Sequence, residues 1–334
     1  MSDADTVAIV IPVRNEENSF YALWRSIQNQ KYQPDEIVIV DGGSIDKTVD
    51  VIKNLIKNDS RAKLVLTKGA MPGEGRNIGI SESHCNLIAL TDCGIVLDTE
   101  WLFELVSVYK SKGHADIVYG NYDPIINSLF TECAAIAYVP SKQLINTFDN
   151  IPIRAPFIAS SLLKREVWKS VGGFPSWRAA EDLIFINTLK SNGYTEAYAP
   201  KATVAWLLRP DTRSTFNKFH TYSIHNVWAG MAKYWHYGIV RHHLCYLSCS
   251  IFTLLFAKPS IINVIFSYFV ISLFGYLLRA IKSYHFKKEF RISHDVALLN
   301  SMLIKIMTVL CILVIIDLAV MSGWIVAIAK KKKF

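Results

Sequence analysis

Short apolar runs alternate with stretches of helical character in the N-terminal part of the chain. The runs cover residues 7–13 (VAIVIPV), 36–41 (EIVIVD), 63–67 (KLVLT) and 86–91 (NLIALT), and their β-branched residues are typical of strands buried on both faces. Strands and helices that alternate at this spacing predict an α/β fold with a mostly parallel sheet and helices on both faces. Ligands of such sheets bind beyond the carboxyl ends of the strands. The polar residues that follow these runs are therefore the first candidates for a functional site.

The charge is divided unevenly along the chain. Residues 1–205 contain 20 Lys and Arg against 24 Asp and Glu, whereas residues 206–334 contain 16 against 4. The formal net charge of +8 therefore comes from the C-terminal part. Because this basic charge flanks long apolar runs, it indicates membrane lipids rather than nucleic acid as the partner.

Three apolar runs in the C-terminal part predict membrane helices. Residues 260–278 and 306–329 are close to the roughly 20 residues that a spanning helix needs. The run at 244–257 is shorter, and it would form a tilted span or half of a hairpin that turns at Lys258 and Pro259. A buried core helix is the alternative for each run. We therefore expect two to three hydrophobic helices.

These patterns predict two domains. We expect a cytoplasmic domain over residues 1–240 and a membrane region over residues 241–334. The acidic N-terminus does not have the pattern of a signal peptide, and five Lys and Arg residues within 279–291 favour a cytoplasmic loop. The protein would thus be a multi-pass protein of the cell membrane. Asp317, inside the last apolar run, should face other helices or a polar cavity rather than lipid.

A glycine cluster follows the third predicted strand. Gly73, Gly75 and Gly79 have the spacing G-x-G-x-x-x-G, which differs from the dinucleotide fingerprint G-x-G-x-x-G and does not follow the first strand. The sequence also lacks a Walker A loop. A nucleotide would therefore have to bind by another scheme.

Six segments carry the most specific pattern in the sequence: IPVRNEE, VDGGSIDKT, GRNIGI, TDCGIVLDTEWL, GGF and AEDLIF. Through the order and spacing of these segments, residues 6–206 resemble the family 2 glycosyltransferases, which are inverting enzymes with a GT-A nucleotide-sugar fold. The apolar C-terminal part is similar to that of the membrane-attached members that build bacterial surface polysaccharides. The resemblance implies a nucleotide-sugar donor and a GT-A fold followed by transmembrane helices.

The resemblance also implies a donor-binding set of residues. Asp41 would accept a hydrogen bond from the base N–H, although a carboxylate at a strand end also caps the helix that follows. Arg76 and Asn77, at the start of a helix, would meet nucleotide or phosphate oxygens, and a surface ion pair is the alternative for Arg76. The set comprises Pro12, Arg14, Glu16, Asp41, Gly43, Arg76, Asn77 and Asp92.

Asp92 resembles the first residue of the family's D-x-D motif, which holds a divalent cation against the donor pyrophosphate. We therefore expect Mg²⁺ or Mn²⁺ as a cofactor with Asp92 as a ligand. The sequence departs from the motif, because Gly94 replaces the second carboxylate and Cys93 is a poor ligand for a hard cation. His220 is a second candidate ligand, and a basic helix near the membrane is the alternative interpretation of its surroundings.

Asp182 resembles the family's catalytic base, and Glu181 precedes it. In an inverting transfer, a carboxylate accepts the proton of the acceptor hydroxyl that displaces the nucleotide. The resemblance therefore implies catalytic roles for Asp182 and Glu181. Two acidic residues at the start of a helix also interact favourably with the helix dipole, and this is the alternative without catalysis.

Together these observations predict an inverting glycosyltransferase. It would transfer a sugar from a nucleotide sugar, most often a UDP-sugar in this family, to a lipid-linked or growing saccharide at the cytoplasmic face of the membrane. Two other functions remain open at this point. One is a non-catalytic subunit that binds sugar nucleotides or polysaccharide, and the other is a membrane-anchored nucleotidyl or phosphosugar transferase.

Overall fold

The computed structural model describes residues 5–141, 147–148, 151–152, 156–253, 260–291 and 298–330. The chain forms two compact units. The first, the sheet unit, comprises Met1–Ile125 and Pro140–Leu207, and the second, the helical unit, comprises Ile126–Val139 and Leu208–Phe334. The predicted boundary between residues 240 and 241 concerns the start of a membrane region and stays a prediction.

The sheet unit is built on an eight-stranded sheet with the order β3-β2-β1-β4-β9-β6-β10-β5. Its first four strands are parallel, whereas β9 runs antiparallel to both β4 and β6. The predicted α/β fold is confirmed, with a sheet that is mixed beyond β4. The strands, including the separate pair β7 and β8, are β1 (Val7–Val13), β2 (Glu36–Asp41), β3 (Ala62–Leu66), β4 (Leu87–Leu90), β5 (Ile95–Leu97), β6 (Ile117–Ile125), β7 (Thr147–Phe148), β8 (Ile151–Pro152), β9 (Ser161–Lys164) and β10 (Glu196–Leu207).

The helices divide between the two units. Those of the sheet unit are α1 (Phe20–Gln28), α2 (Thr48–Ile56), α3 (Pro72–Glu82), α4 (Trp101–Ser111), α6 (Arg165–Ser170) and α7 (Glu181–Ser191). Those of the helical unit are α5 (Leu129–Tyr138), α8 (Thr212–Trp228), α9 (Ala232–Phe252), α10 (Ile261–Phe286) and α11 (Leu298–Ala329).

The glycine cluster brings helix α3 close to the sheet. A Cβ atom at Gly75 would lie 3.1 Å from Pro12 Cβ, and one at Gly79 would collide with Val10 and lie 3.2 Å from Val40 Cγ2. Glycine at these positions therefore lets the backbone of α3 approach β1 and β2 closely. The glycine cluster, which does not match a dinucleotide fingerprint, therefore has a packing role.

Helix α1 begins later than the sequence predicts. We expect a helix from Asn15, but α1 begins at Phe20. Asn15 has the left-handed φ of 56°, and its side-chain oxygen accepts the backbone N–H of Ile45 at 2.9 Å. Its own N–H donates to Ser44 Oγ at 2.8 Å. Because these bonds fix Asn15 to the loop after β2, the chain turns there before the helix starts.

Two helices of the described part of the helical unit are long and apolar enough to cross a bilayer: Ile261–Phe286 and Met302–Ala329. They differ in exposure, since 11% of an apolar 18-residue segment of α10 is buried, against 50% of the corresponding segment of α11. The shorter apolar run ends helix α9, and its predicted turn at Lys258 and Pro259 lies outside the described residues. Within the described residues, two candidate spans are thus present, which is the lower of the expected numbers.

Asp317 on α11 is buried among neighbouring helices. Its side chain is 4% exposed, and Oδ2 accepts hydrogen bonds from Arg279 Nη1 at 2.7 Å and from the Tyr276 hydroxyl at 2.9 Å. The prediction that this carboxylate faces other helices is confirmed.

Candidate active site

Arg76 joins two of the predicted site residues at the carboxyl edge of the sheet. It lies in the first turns of α3 and is 3% exposed. Its Nη1 donates to Glu181 Oε1 at 2.9 Å, and its Nη2 donates to both oxygens of Asp92 at 2.8 and 2.9 Å. The guanidinium also lies 5.6 Å from the centre of the Phe174 ring. The ion pair that the sequence allows on the surface is therefore buried, and it connects the end of β4 with the start of α7.

Burial determines the electrostatics of this cluster. It raises the pKa of Glu181 to about 7, although the charge of Arg76 opposes the shift. Burial also raises the pKa of Asp182, again against the charge of Arg76. For Arg76, the carboxylates of Asp92 and Glu181 outweigh desolvation, and its pKa rises. A carboxyl with a raised pKa accepts a proton more readily near neutral pH, which is the property that a general base needs.

Two buried polar atoms of the cluster have no hydrogen-bond partner among the described residues: Arg76 Nε and Glu181 Oε2. Buried polar groups are normally paired, so unused donors and acceptors in a charged cluster are candidates for contact with a ligand. Asp182 itself is half-buried, and its Oδ1 accepts the N–H of Leu183 at 2.8 Å.

The backbone before Glu181 is strained. Ala180 has the left-handed φ of 72°, which costs a residue other than glycine about 1–2 kcal/mol. The first turn of α3 packs tightly here, because a Cβ atom at Gly73 would collide with the carbonyl of Pro175 and lie 3.2 Å from Glu181 Cβ. Strain of this kind is concentrated at functional sites. No sequence signal identified Ala180, since alanine has no preference for this conformation.

Asn77 connects helix α3 to the glycine turn before α7. Its Nδ2 donates to the Phe174 carbonyl at 2.7 Å, and its Oδ1 accepts from Phe174 N at 2.8 Å and from Trp168 Nε1 at 2.9 Å. This amide therefore has a structural role that the sequence did not reveal. Its predicted contact with the donor stays a prediction.

Asp41 closes the turn after β2. It is 2% exposed, and its Oδ2 accepts the N–H groups of Gly43 and Ser44, both at 2.9 Å. Helix α2 begins only at Thr48, after Lys47, so Asp41 holds this turn and does not cap the helix as the alternative interpretation expects. Its predicted contact with a base is not tested by these bonds, because a carboxylate oxygen accepts more than one hydrogen bond.

The other predicted donor-binding residues lie around the end of β1. Pro12 is half-buried beneath Gly75, and Arg14 is exposed. The N–H of Glu16 donates to Thr48 Oγ1 at 2.6 Å, and the carboxylate of Glu16 accepts a hydrogen bond from the Ser19 hydroxyl. All of the predicted catalytic and donor-binding residues belong to the sheet unit.

Asp92 supplies the only carboxylate of the altered D-x-D segment. Burial and the nearby acidic groups Glu16 and Asp92 raise the pKa of Cys93 well above its ordinary value, so this side chain stays a thiol. Gly94 has a φ of 80°, and its carbonyl accepts the N–H of Leu207 at 2.9 Å. Within the described residues, no group of three or more His, Cys, Asp and Glu side chains could hold a metal ion.

His220 belongs to the helical unit. Its Nδ1 lies within hydrogen-bond distance of Ser322 Oγ, at 2.9 Å, and its ring stacks on Phe216. Its suggested part in a metal site stays a prediction.

Comparisons with known proteins identify similar chains. Residues 8–171 match the family described as Glycosyl transferase family 2. An uncharacterized glycosyltransferase of Haemophilus influenzae is 31% identical over 198 residues, which cover 59% of this chain and 77% of that protein. The poly-beta-1,6-N-acetyl-D-glucosamine synthase of Staphylococcus epidermidis is 23% identical over 62% of this chain, and this chain spans only 50% of its length.

One solved structure is similar over nearly the whole chain. A mannosyltransferase of Pyrobaculum calidifontis, in complex with GDP-Man and Mn²⁺, covers 99% of this chain and 89% of its own, with a TM-score of 0.56. The identity is 14%, so this similarity concerns the fold.

Proposed function

This chain belongs to glycosyl transferase family 2, and we propose that it transfers a sugar from a UDP-sugar with inversion to a lipid-linked or growing saccharide at the cytoplasmic face of a membrane. Membership of the family makes it a glycosyltransferase with a nucleotide-sugar donor. The nucleotide, the stereochemistry, the acceptor and the roles of single residues are the proposed part.

The observation that carries the proposal is the cluster around Arg76. The guanidinium holds Glu181, at the start of α7, and Asp92, at the end of β4, so that Asp182 follows directly on a fixed residue. In an inverting transfer, the acceptor oxygen forms a bond to the anomeric carbon while the bond to the nucleoside diphosphate breaks. The acceptor proton moves to the Asp182 carboxylate, whose raised pKa favours this transfer near neutral pH.

The donor would lie against the carboxyl ends of β1, β2 and β4. Asp41 is buried at the end of β2, where its carboxylate can accept the N–H of a uracil ring. Arg14 is exposed beside it and offers guanidinium donors for phosphate or ribose oxygens. The proposed donor site also includes the remaining predicted residues, which are Pro12, Glu16, Gly43, Arg76, Asn77 and Asp92.

At this edge we propose Asp92 as the protein ligand of a divalent cation. Carboxylate oxygens are suitable ligands for Mg²⁺ or Mn²⁺, and such ions are often held by one or two carboxylates together with substrate phosphates. Asp92 and the donor pyrophosphate would therefore hold the ion. Asp92 would then have to give up one of its two hydrogen bonds from Arg76 for the bond to the cation. When bound, the cation would neutralise charge on the departing nucleoside diphosphate.

The helical unit supports attachment to a membrane. Side chains along α10 such as Ile261, Phe266 and Phe274 are 77%, 69% and 60% exposed, and a bilayer would remove this apolar surface from water. The positive charge that follows this stretch favours the cytoplasmic side for the end of α10.

Exchange of Asp182 for Asn tests the proposal. The full chain is purified in neutral detergent, and UDP, GDP and dTDP are titrated calorimetrically with and without Mn²⁺. Radiolabelled sugars of the nucleotide that binds are then supplied with a lipid extract as acceptor. Asp182→Asn should lower transfer by at least a thousandfold while nucleotide affinity changes little. Glu166→Gln, which changes an exposed acid of the same unit, is the matched control and should keep full activity.

The outcome separates the proposal from its alternatives. Transfer by Asp182→Asn at the wild-type rate would show that another group is the base. Release of nucleoside monophosphate or pyrophosphate, instead of nucleoside diphosphate, would indicate a phosphosugar or nucleotidyl transferase. Nucleotide binding without transfer or hydrolysis by the wild type would indicate a binding subunit.

A further inference from the structure

Helices α9 and α10 change from apolar to basic at the same level. Residues 261–278 of α10 contain no charged side chain, and Arg279 follows them. Residues 244–252 of α9 are likewise uncharged. Arg241, His242 and His243 precede this stretch directly.

Side-chain contacts between the two helices set their register. His243 Nε2 lies 3.3 Å from the Tyr276 hydroxyl, and the Tyr246 ring packs so closely on Gly275 that a Cβ atom there would collide with it. Arg241 is two residues from His243, and Arg279 is three residues from Tyr276. The two arginines therefore lie within about one helical turn of the same level.

The charge at this level is positive on balance. Neither α9 nor α10 contains an Asp or Glu residue. Asp317 of α11 pairs with Arg279 through one oxygen, which leaves other guanidinium N–H groups of a side chain that is 27% exposed. Arg241 is exposed, and its guanidinium lies 5.7 Å from the Tyr237 ring centre.

His242 follows Arg241 directly on α9. Its Nδ1 is buried and has no hydrogen-bond partner among the described residues. Burial lowers its pKa, the charges of Arg279 and Arg241 lower it further, and the charge of Asp317 opposes the shift. The site thus combines two cations with an unused polar atom, next to an apolar surface that ends at Leu278.

We propose that Arg241, His242 and Arg279 bind the phosphate of an anionic phospholipid, whose acyl chains lie along the exposed side chains of α10. Guanidinium groups bind phosphate through paired N–H donors, and lipid phosphates lie where a spanning helix changes from apolar to polar. The exposed Phe274 and Leu278 would contact the chains below the phosphate. This inference rests on the membrane attachment that is part of the proposed function, but it does not depend on the sugar transfer.

Native mass spectrometry of the full chain in neutral detergent tests the site. The wild type is titrated with phosphatidylglycerol and with phosphatidylcholine of the same acyl chains, and the first bound lipid is quantified. We expect at least a fivefold preference for phosphatidylglycerol. Arg241→Gln should reduce this preference about fivefold, since one basic residue near a lipid surface contributes about this much. Lys233→Gln, at an exposed position of the same helix, is the matched control and should retain the preference.

A second variant addresses Arg279 without leaving a buried acid unpaired. Arg279→Gln is combined with Asp317→Asn, and this double variant should also lose the preference. Equal binding of both lipids by the wild type, or an unchanged preference in both variants, would overturn the proposal. Displacement of the lipid by millimolar inorganic phosphate would identify a site for free phosphate instead. The lipid titration contains no nucleotide sugar. Its result therefore does not depend on the outcome of the transfer assay.

Discussion

At the scale of single residues, the buried charge of Arg76 dominates the active-site cluster. It neutralises Glu181, whose side chain is 8% exposed, and Asp92, whose side chain is 35% exposed. Removal of one partner from a buried ion pair is strongly unfavourable, because the remaining charge stays buried without compensation.

We therefore predict that Arg76→Gln lowers the free energy of unfolding by about 3 kcal/mol at about pH 8, where Glu181 of the wild type is ionised. The larger part of this loss should come from Glu181, because Asp92 is partly solvated. Thermal unfolding in detergent, with the transfer rate measured in parallel, checks the prediction. Arg76→Lys should lose less stability than Arg76→Gln, but a single ammonium cannot reproduce the fork that contacts both carboxylates. Equal stability of Arg76→Gln and the wild type would contradict the prediction.

The raised pKa of Glu181 predicts a pH dependence of stability. Desolvation raises this pKa from 4.5 to about 7, so the folded state binds the proton more tightly than the unfolded state between these values. The free energy of unfolding therefore falls as pH rises from 4.5 to about 7, because stability decreases with rising pH wherever the folded state binds more protons than the unfolded state. Glu181→Gln cannot titrate and should lack this contribution. The difference in unfolding temperature, wild type minus variant, should therefore decrease from pH 4.5 to pH 7, and a difference that increases would show the opposite sign.

Part of this site could be predicted from the sequence. Asp41 and Asp92 follow apolar runs directly, and the rule for strand ends suffices to bring them to one edge. The partner of Arg76 could not be predicted in the same way, because Glu181 lies 105 residues away and the pair forms only after α7 packs on α3. The structural role of Asn77 was missed for the same reason, since its hydrogen bonds with Phe174 join residues that lie 97 positions apart.

At the scale of elements, the packing of α3 on the sheet controls where Arg76 lies. Gly79 faces Val10 of β1 and Val40 of β2 without space for a side chain. Alanine is a better helix former than glycine by about 1 kcal/mol, so two effects of opposite sign compete at this position. Overpacking of a core typically costs about 1–3 kcal/mol, and a collision with a β-branched side chain on a central strand should outweigh the gain.

We predict that Gly79→Ala lowers the free energy of unfolding by about 1–2 kcal/mol. Chemical denaturation followed by circular dichroism measures the change. Ser81→Ala, at an exposed position of the same helix, is the matched control and should lie within about 0.5 kcal/mol of the wild type. If Gly79→Ala is more stable than the wild type, helix propensity decides and the packing argument fails.

The elements themselves were predicted with different success. The bounds of β1 and β2 agree with the apolar runs, since strands buried on both faces leave an unbroken apolar signature. The position of β9 was not predictable, because four residues inserted antiparallel between β4 and β6 leave no pattern that specifies their neighbours. Helix α1 began late because Asn15 is fixed by contacts with another loop.

At the scale of the whole molecule, the question is what covers α10. The sequence predicted apolar helices from length and composition alone, and these do not separate a bilayer from a protein core. Exposure in the structure separates α10, which stays largely uncovered, from α11, which is half buried within the helical unit. This information could not come from the sequence, because both runs are similarly apolar.

Leu273→Arg tests whether lipid covers α10. Leu273 is 58% exposed within the uncharged stretch, so arginine there can stay on the surface of the folded chain. In a bilayer, arginine at a helix centre costs about 2.5–3.5 kcal/mol, whereas in water the change is nearly neutral. We therefore predict that the variant is partly released from membranes by alkaline carbonate, while the wild type and the control Lys282→Gln stay in the pellet. Equal retention of Leu273→Arg and the wild type would mean that α10 does not reside in the hydrocarbon core and that its exposed face is covered by protein.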